Sequence, residues 1–439
     1  MRHRFVLLLM LLIMAQGHGQ DLTALPIDLD QARQYFDEAQ TLRRADMRDL
    51  WGIRLHSRMM FVDPDNGIYV TNAQDRRKTL TEMNDVFVGR LGPAELPTDG
   101  AVSVNGALWV MLTWPLPEDK DIRGVRMMQH SMLASQHKLG IRSRNPASDH
   151  LTRIEDRILI RLEWRALHRA LQAADDATLA QAVRDALLFR TCRHADQRSI
   201  RDFETDRERS VGLAMYTGIR LSGMTTEDQI KHVCVMLDEV DAEPSMDGVF
   251  AYASAAAYGV LLDRRDSEWR SAITNRSDLG RMTRTVYGIT LPDVPCAETA
   301  RRRSMYDHAA IAAEEEARHA IRTQRIATYR ARFDEPPYVE LPITGDMRMS
   351  FSPGEITIMD DLGTVYERAE ITGPWGTLAV NDGVLLVRRE RAAPAIRLDA
   401  HEIEVNEAFA TGRGWRLEFS PAYTIALNTH RGIWMARRK

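Results

Sequence analysis

The run Asp334-Glu335-Pro336-Pro337 most constrains how this chain can fold. Proline lacks a backbone N–H and clashes with the preceding turn, so a helix cannot pass through two of them. Before this run lies a long helical pattern over residues 297–333, rich in Ala, Glu and Arg. After it the apolar residues recur at alternate positions, as in Ile356-Thr357-Ile358, Gly376–Val380, Val384–Val387 and Trp415–Phe419, with turns at Gly373-Pro374 and Asn381-Asp382-Gly383. A helix period gives way to a strand period. The expected architecture is therefore α+β: a helical and sheet-containing domain over 20–333, and a small all-β sandwich or barrel over 338–439.

The N-terminus has three parts. Met1-Arg2-His3-Arg4 is basic, Phe5 to Ala15 is an apolar run of 11 residues, and Ala15-Gln16-Gly17 and Gly17-His18-Gly19 offer small residues for a peptidase. A membrane-spanning helix needs ~20 apolar residues, so the pattern fits a cleavable signal better than an uncleaved anchor. No Cys follows to accept a lipid. Residues 1–19 are expected to be removed, giving a mature N-terminus between His18 and Asp21 in the periplasm or outside the cell.

Within the larger domain, Ala32, Tyr35, Phe36, Ala39 and Leu42 mark an amphipathic helix over 30–45. A small antiparallel sheet is expected between 51 and 114, with hairpin turns at Asp63-Pro64-Asp65-Asn66 and Asn105-Gly106. Helices follow: Ile122 to Leu139 after Pro115-Leu116-Pro117, then one begun by Asp149, then 176–194, 202–217, 225–240 and 249–263. The net charge of -4 with 27% charged residues lacks the basic excess of a nucleic-acid binder. No stretch of the mature chain is apolar enough to span a membrane. Cys192, Cys234 and Cys296 are too few for a disulfide framework, and none forms a CxxC pair; one disulfide is allowed, with its pairing open.

Several segments resemble an exported gluzincin-like zinc metallopeptidase family. They are Leu50-Trp51-Gly52-Ile53, Phe61-Val62-Asp63-Pro64, Phe87–Leu91, Trp114–Asp119, Leu162–Leu167, Gly212-Leu213-Ala214 with Tyr216-Thr217-Gly218, Phe250–Ser254 and Asp361–Tyr366, in the same order along most of the chain. The resemblance implies a zincin-like domain, in which an active-site helix lies beside the edge strand that lines the cleft. Active members carry His-Glu-x-x-His on that helix: the two His share one face and bind zinc, and the Glu activates the bound water. A downstream Asn-Glu-Gly-Leu-Ala-Glu-Tyr-Thr-Gly segment supplies the third ligand.

This chain departs from that pattern at the ligands. Without gaps, Gln129, His130 and Leu133 stand at the first His, the Glu and the second His; aligned on His130 instead, Ser131 and Ala134 take the latter two places. Val211 stands at the third ligand and Met215 at the segment's second Glu. Leu, Val and Ala offer no lone pair, and one imidazole cannot supply the three protein ligands of a catalytic zinc site. Neither Ser131 nor Gln129 has a pKa suited to activating water. The expectation is a zincin-like pseudopeptidase, with no catalytic residue and no cofactor, that binds a peptide or a protein. The rival is an active metallohydrolase with zinc in a rearranged site using His130, with His137 or His150. A purely structural envelope or secreted protein is a third reading.

Other candidates have plainer explanations. His130 and His137, seven apart, would share a helix face, with His150 beyond, but no recognised ligand spacing is present, and surface histidines beside a cleft explain them. Glu204 and Glu208 at i, i+4 beside Arg201, Arg207 and Arg209 suggest a salt-bridged helix face. Glu163 beside Trp164 and Arg165 suggests a core-ordering Glu–Arg pair. Glu314-Glu315-Glu316 suggests a solvated face, and Met127, Met128 and Met132 core filling. No Gly-x-Ser-x-Gly elbow and no phosphate loop appear.

Overall fold

A computed structural model of the protein describes residues 25–46, 50–92, 97–195, 197–246, 248–352, 356–359, 362–387 and 394–439. The N-terminal stretch read as a signal, with its expected cleavage site, and Asp361 lie outside these residues. The chain is α+β, with helices and a mixed sheet followed by C-terminal sheets. It forms two compact units. The first holds the described residues up to Ser148, with Glu163–Glu243 and Gly248–Thr299; the second holds Asp149–Leu162, a short piece from Pro244, and Ala300–Lys439.

The first unit begins with α1 (Leu29–Asp46) and six strands: β1 (Met59–Val62), β2 (Ile68–Thr71), β3 (Thr81–Met83), β4 (Val86–Arg90), β5 (Gly100–Val104) and β6 (Ala107–Thr113). They form one sheet in the order β3-β4-β2-β1-β6-β5. The Asn105-Gly106 turn joins β5 to β6 as expected, with both residues at positive φ, 49° and 75°. The sheet is mixed rather than antiparallel, because β6 returns beside β1 in the same direction, Phe61 opposite Leu112. Alternation sorts its side chains: Met59, Phe61, Val110 and Leu112 pack with Tyr35 and Phe36 of α1, and Met60, Val62, Trp109 and Met111 form a core on the opposite face.

The helices of the first unit are α2 (Lys120–Leu133), most of α3 (Ile154–Gln172), α4 (Asp176–His194), α5 (Arg198–Arg207), α6 (Leu213–Arg220), α7 (Thr226–Ala242), α8 (Phe250–Asp263), α9 (Leu279–Val286) and the start of α10 (Pro295–Arg302). Four depart from expectation. The helix expected to be begun by Asp149 is α3, which starts at Ile154 after a 3-10 turn over His150–Thr152, and the Asp149 side chain makes no cap. The helix expected to reach Leu139 stops at Leu133, where Ser131 and Ser135 hydroxyls donate to the carbonyls four residues back, and a 3-10 turn over Gln136–Leu139 closes on left-handed Gly140. The expected 202–217 helix is α5 and α6 joined by a π turn at Glu208–Gly212. There Gly212 packs so closely on α8 that a Cβ would lie 2.4 Å from the Ala251 carbonyl oxygen. The 297–333 helix is broken at left-handed Asp307. Cys192 and Cys296 form a disulfide between α4 and α10, and Cys234 is free and buried.

Among the described residues, the second unit contains α11 (His308–Phe333) and thirteen strands. They are β7 (Tyr338–Pro342), β8 (Arg348–Phe351), β9 (Ile356–Met359), β10 (Gly363–Tyr366), β11 (Ala369–Gly373), β12 (Gly376–Val380), β13 (Val384–Val387), β14 (Ala395–Asp399), β15 (Glu404–Val405), β16 (Phe409–Gly412), β17 (Trp415–Phe419), β18 (Tyr423–Asn428) and β19 (Ile433–Arg438). Two sheets result, β18-β19-β7-β14-β13-β10-β9 and β15-β16-β17-β12-β11-β8. They share one apolar core that includes Val339, Ile396, Ile371 and Leu378. Tyr329 and Phe333 seat the end of α11 against Met359, Val365 and Leu385. Glu314-Glu315-Glu316 is solvated only in part: Glu314 and Glu316 are exposed, but Glu315 is 1% exposed and bonds Arg157 and Arg161 at the start of α3. A carboxylate so placed cannot face water, since its paired guanidiniums are themselves buried.

Candidate functional site

The residues that the family resemblance aligns with the zinc motif lie on α2 and on the π turn, where α2 crosses the π turn and α6. Gly218 of α6 sits on α2, where a Cβ would lie 2.5 Å from the Val125 carbonyl oxygen and 3.1 Å from Gln129 Cβ. Farther along, Gln136 Nε2 donates to the Ser210 carbonyl at 2.7 Å. Early α2 thus meets late α6, and the residues beyond α2 meet the π turn, so the two elements run antiparallel. The π turn displaces its carbonyls from the usual ladder, and the Gln136 amide takes up one of them.

Asp119 caps α2 by accepting from the N–H groups of Asp121 and Ile122. Arg126 ties the helix to the sheet. It donates to both oxygens of Asp99, just before β5, at 2.8 and 2.9 Å, and to Thr113 Oγ1 at 2.7 Å. Burial alone would raise the Asp99 pKa; hydrogen bonds from Thr113 and the charge of Arg126 outweigh it and hold the carboxyl below its ordinary value. Burial, as the largest effect, holds His130 below the ordinary imidazole value despite the nearby Asp99 charge. The ring is neutral at pH 7. Its Nδ1 lies 2.9 Å from the Arg126 carbonyl, which can only accept, so Nδ1 carries the proton. Nε2 faces Asp99 Oδ2 at 4.0 Å.

The other polar groups here are engaged within the fold. Ser131 Oγ donates to the Met127 carbonyl at 2.8 Å, so it is no nucleophile for His130. Ser135 Oγ donates to the Ser131 carbonyl and accepts from the His56 N–H. Trp51 Nε1 donates to Thr217 Oγ1. Gln129 and Ala134 are buried, whereas Leu133, Val211 and Met215 are partly exposed. The residues at the zinc positions do not fit a zinc ion, because Leu133 and Val211 have no donor atoms. Among the described residues, no group of three or more His, Cys, Asp or Glu could hold a metal.

The histidines do not share a helix face. His130 is buried on α2, whereas His137 lies on the 3-10 turn past the helix end and is exposed. His150 is buried in a separate 3-10 turn that belongs to the second unit.

Beside this crossing lies a cluster that local spacing did not reveal. Glu163 is 0% exposed and bonds Arg193, Arg190 and the Tyr258 hydroxyl, not Arg165, which pairs with Asp241. Glu204 and Glu208 are likewise buried rather than on a salt-bridged surface. Glu204 accepts from Arg193 Nε at 2.7 Å and lies 2.7 Å from His194 Nε2. Glu208, the first residue of the π turn, pairs with Arg190. Burial pushes the Glu208 carboxyl up to about 7. The sequence carried one signal for this cluster: Arg190 directly follows the apolar run Ala186-Leu187-Leu188-Phe189 on α4, and the structure buries it with that run.

Comparison with family models, with curated proteins and with solved structures gives no match to this chain. Among the described residues, no helix is long and apolar enough to cross a membrane.

Proposed function

We propose that this is an exported zincin-like protein without zinc chemistry, a pseudopeptidase that binds an extended peptide or a partner segment. The observation that carries the reading is the antiparallel crossing of α2 with the π turn and α6, with part-exposed Leu133, Val211 and Met215 where a peptidase would present ligands. Its polar side chains are spent on bonds within the fold, so the surface suits binding better than proton transfer. The strand beside it supplies a recognition element. Among the described residues, β5 is the terminal strand of its sheet and pairs only with β6. In an antiparallel ladder with Val104 opposite Ala107 at the turn, Ala101 and Ser103 direct their N–H and C=O groups away from β6. An added peptide strand would use those groups, and side chains of the α2–α6 crossing would select its residues.

The test is direct binding of fluorescent extended peptides to the mature protein, with metal analysis of the same sample purified without chelator. Binding without zinc is expected, and Ala101→Pro, which removes one outward N–H and no ladder bond, should weaken it at least tenfold. One equivalent of zinc, lost together with peptide hydrolysis in His130→Ala, would replace this reading with the rearranged metallohydrolase.

A further inference from the structure

The side chains around the α2 crossing spend their donors within the fold, but two acceptors remain, and they face each other beside the start of β5. His130 Nδ1 holds the ring proton against the Arg126 carbonyl, so Nε2 keeps an unprotonated lone pair. Among the described residues Nε2 accepts no hydrogen bond, and it faces Asp99 Oδ2 at 4.0 Å. The other carboxylate oxygen, Oδ1, is fully used by Thr113 and Arg126. Oδ2 accepts from Arg126 Nε at 2.8 Å and keeps a second lone pair. His130 is 9% exposed and the Asp99 side chain 27%, so the pair is set back from solvent yet open to it. Two acceptors this close call for one atom that carries two hydrogens. A nitrogen ~2.9 Å from each would see them about 90° apart, and a primary amide there would make both bonds at roughly 155°. A hydroxyl has one hydrogen and leaves one acceptor unpaired, and a carboxylate brings only further acceptors. An ammonium has the hydrogens, but Arg126 already neutralises Asp99, and a second cation would meet the guanidinium charge in a half-buried place. The same surroundings hold the His130 imidazole below its ordinary pKa, through burial first and the Arg126 charge among the further causes. A neutral carboxamide is the group that fits.

We infer, building on the peptide reading above, that Asp99 and His130 form a specificity site for a carboxamide side chain, asparagine or glutamine, of a peptide bound along β5. The strand supplies the geometry. Ala101 pairs with Val110, which packs in one core with Met127 and Met128 of α2. Ala101 therefore faces the α2 side of the sheet. Residues paired across a sheet share a face, so a peptide residue paired with Ala101 turns its side chain to that side as well. Arg126 brings Asp99 to the same side, two residues before Ala101. A diagonal neighbour in a sheet lies ~7–8 Å away, within reach of a long side chain. The backbone ladder of β5 would hold any extended peptide, and the two acceptors would choose among peptides. Choice of this kind is strong because a side chain without donors leaves both acceptors desolvated and unpaired.

The experiment measures binding of fluorescein-labelled extended peptides of alternating Val and Thr to the mature full chain. One Val is replaced in turn by Gln, Asn, Glu, Lys or Leu, and the uniform background lets the peptide slide until that residue finds the site. The better of Gln and Asn should bind roughly tenfold more tightly than Leu, the worth of two hydrogen bonds. Glu and Lys should gain nothing over Leu. His130→Phe keeps a ring and removes Nε2, so it should erase the carboxamide preference and leave the Leu peptide's affinity unchanged. Ala101→Pro acts on the backbone and should weaken every peptide alike. Propionamide probes the site without the strand: in wild type with isotope-labelled histidine it should move the His130 Nε2 resonance upfield, as when a lone pair accepts a hydrogen bond. Peptides that bind with no carboxamide preference, or with a Lys preference, overturn the inference and leave the peptide reading standing. No peptide bound, with the His130 shift on propionamide, overturns the peptide reading and keeps Asp99 and His130 as a carboxamide site. Silence in both measurements overturns both.

Discussion

Arg190 and Glu208 face each other as a bidentate pair, Nη1 to Oε1 at 2.6 Å and Nη2 to Oε2 at 2.8 Å, with both side chains buried. Glu208 opens the π turn that leads to Val211, so this pair fixes where the turn begins. The second pair, Arg193 with Glu204, holds α4 to α5 in the same way.

Removing Arg190 therefore leaves Glu208 as a buried charge without its partner. Arg190→Ala should cost about 3–5 kcal/mol, the range for breaking a buried ion pair from one side. Arg190→Lys should fall short of rescue because an ammonium cannot make the two parallel bonds. Urea denaturation of the three proteins measures both. A loss below ~1 kcal/mol in Arg190→Ala, as for an exposed pair, would show that the cluster is solvated.

The same cluster makes stability depend on pH with a definite sign. Glu163, Glu204 and Glu208, with Asp278 nearby, outnumber Arg190 and Arg193, and Tyr258 and His194 also face the group. Burial, the largest cause, raises the Glu208 pKa to about 7 from an ordinary 4.5. Between those values the folded state holds a proton that the unfolded chain has released. This contribution is thus fully present below pH 4.5 and is lost as pH rises to about 7, by ~3 kcal/mol at most. Buried His130 and His194, whose pKa values are lowered, act in the opposite direction below pH 6.5. The comparison with Glu208→Gln isolates the effect: wild type should lose stability relative to the variant from pH 4.5 to 7. Parallel pH profiles would rule it out.

The three cysteines should behave differently. The Cys192–Cys296 link closes a separation of 104 residues, and its removal should cost about 2–5 kcal/mol. Burial raises the Cys234 thiol to about 11, which leaves almost no thiolate at neutral pH. Thiol titration without reductant should find no reactive group in the native protein and one per chain in denaturant. Three in denaturant would mean that the disulfide does not form.

Local chemistry was legible and long-range partnership was not. The Asn105-Gly106 turn, the α1 stripe and the alternation after Pro337 each depend on neighbours in sequence, and each appears as read. Glu204 and Glu208 also have arginines close in sequence, yet the partners that bury them come from α4, a different helix. Glu315 was misplaced for the same reason, since Arg157 and Arg161 lie some 150 residues away. The parallel pairing of β1 with β6 and the disulfide partner of Cys192 are tertiary facts of the same kind. The π turn packs Gly212 against Ala251 of α8, a contact that no spacing within 202–217 encodes.

The zincin reading itself can be tested by rebuilding what it says is missing. Gln129 and Leu133 are one turn apart on α2, and Val211 lies on the antiparallel element that Gln136 fastens to the end of that helix. Gln129→His, His130→Glu, Leu133→His and Val211→Glu together restore two imidazoles at i, i+4, a carboxylate third ligand, and a glutamate base. Three protein ligands and an open position are what a catalytic zinc requires. The wild-type melting temperature should not respond to zinc or chelator. The quadruple variant should bind one equivalent of zinc and be stabilised by mass action, by ~2.7 kcal/mol at a free zinc concentration of 100 Kd. Val211→Glu is the discriminating change, because without it the two histidines alone should bind far more weakly. A quadruple variant that stays folded by circular dichroism yet takes up no zinc would show that α2 and the π turn do not present these positions to a common point. The zincin reading would then be abandoned, while the fold and the buried cluster beside it would stand.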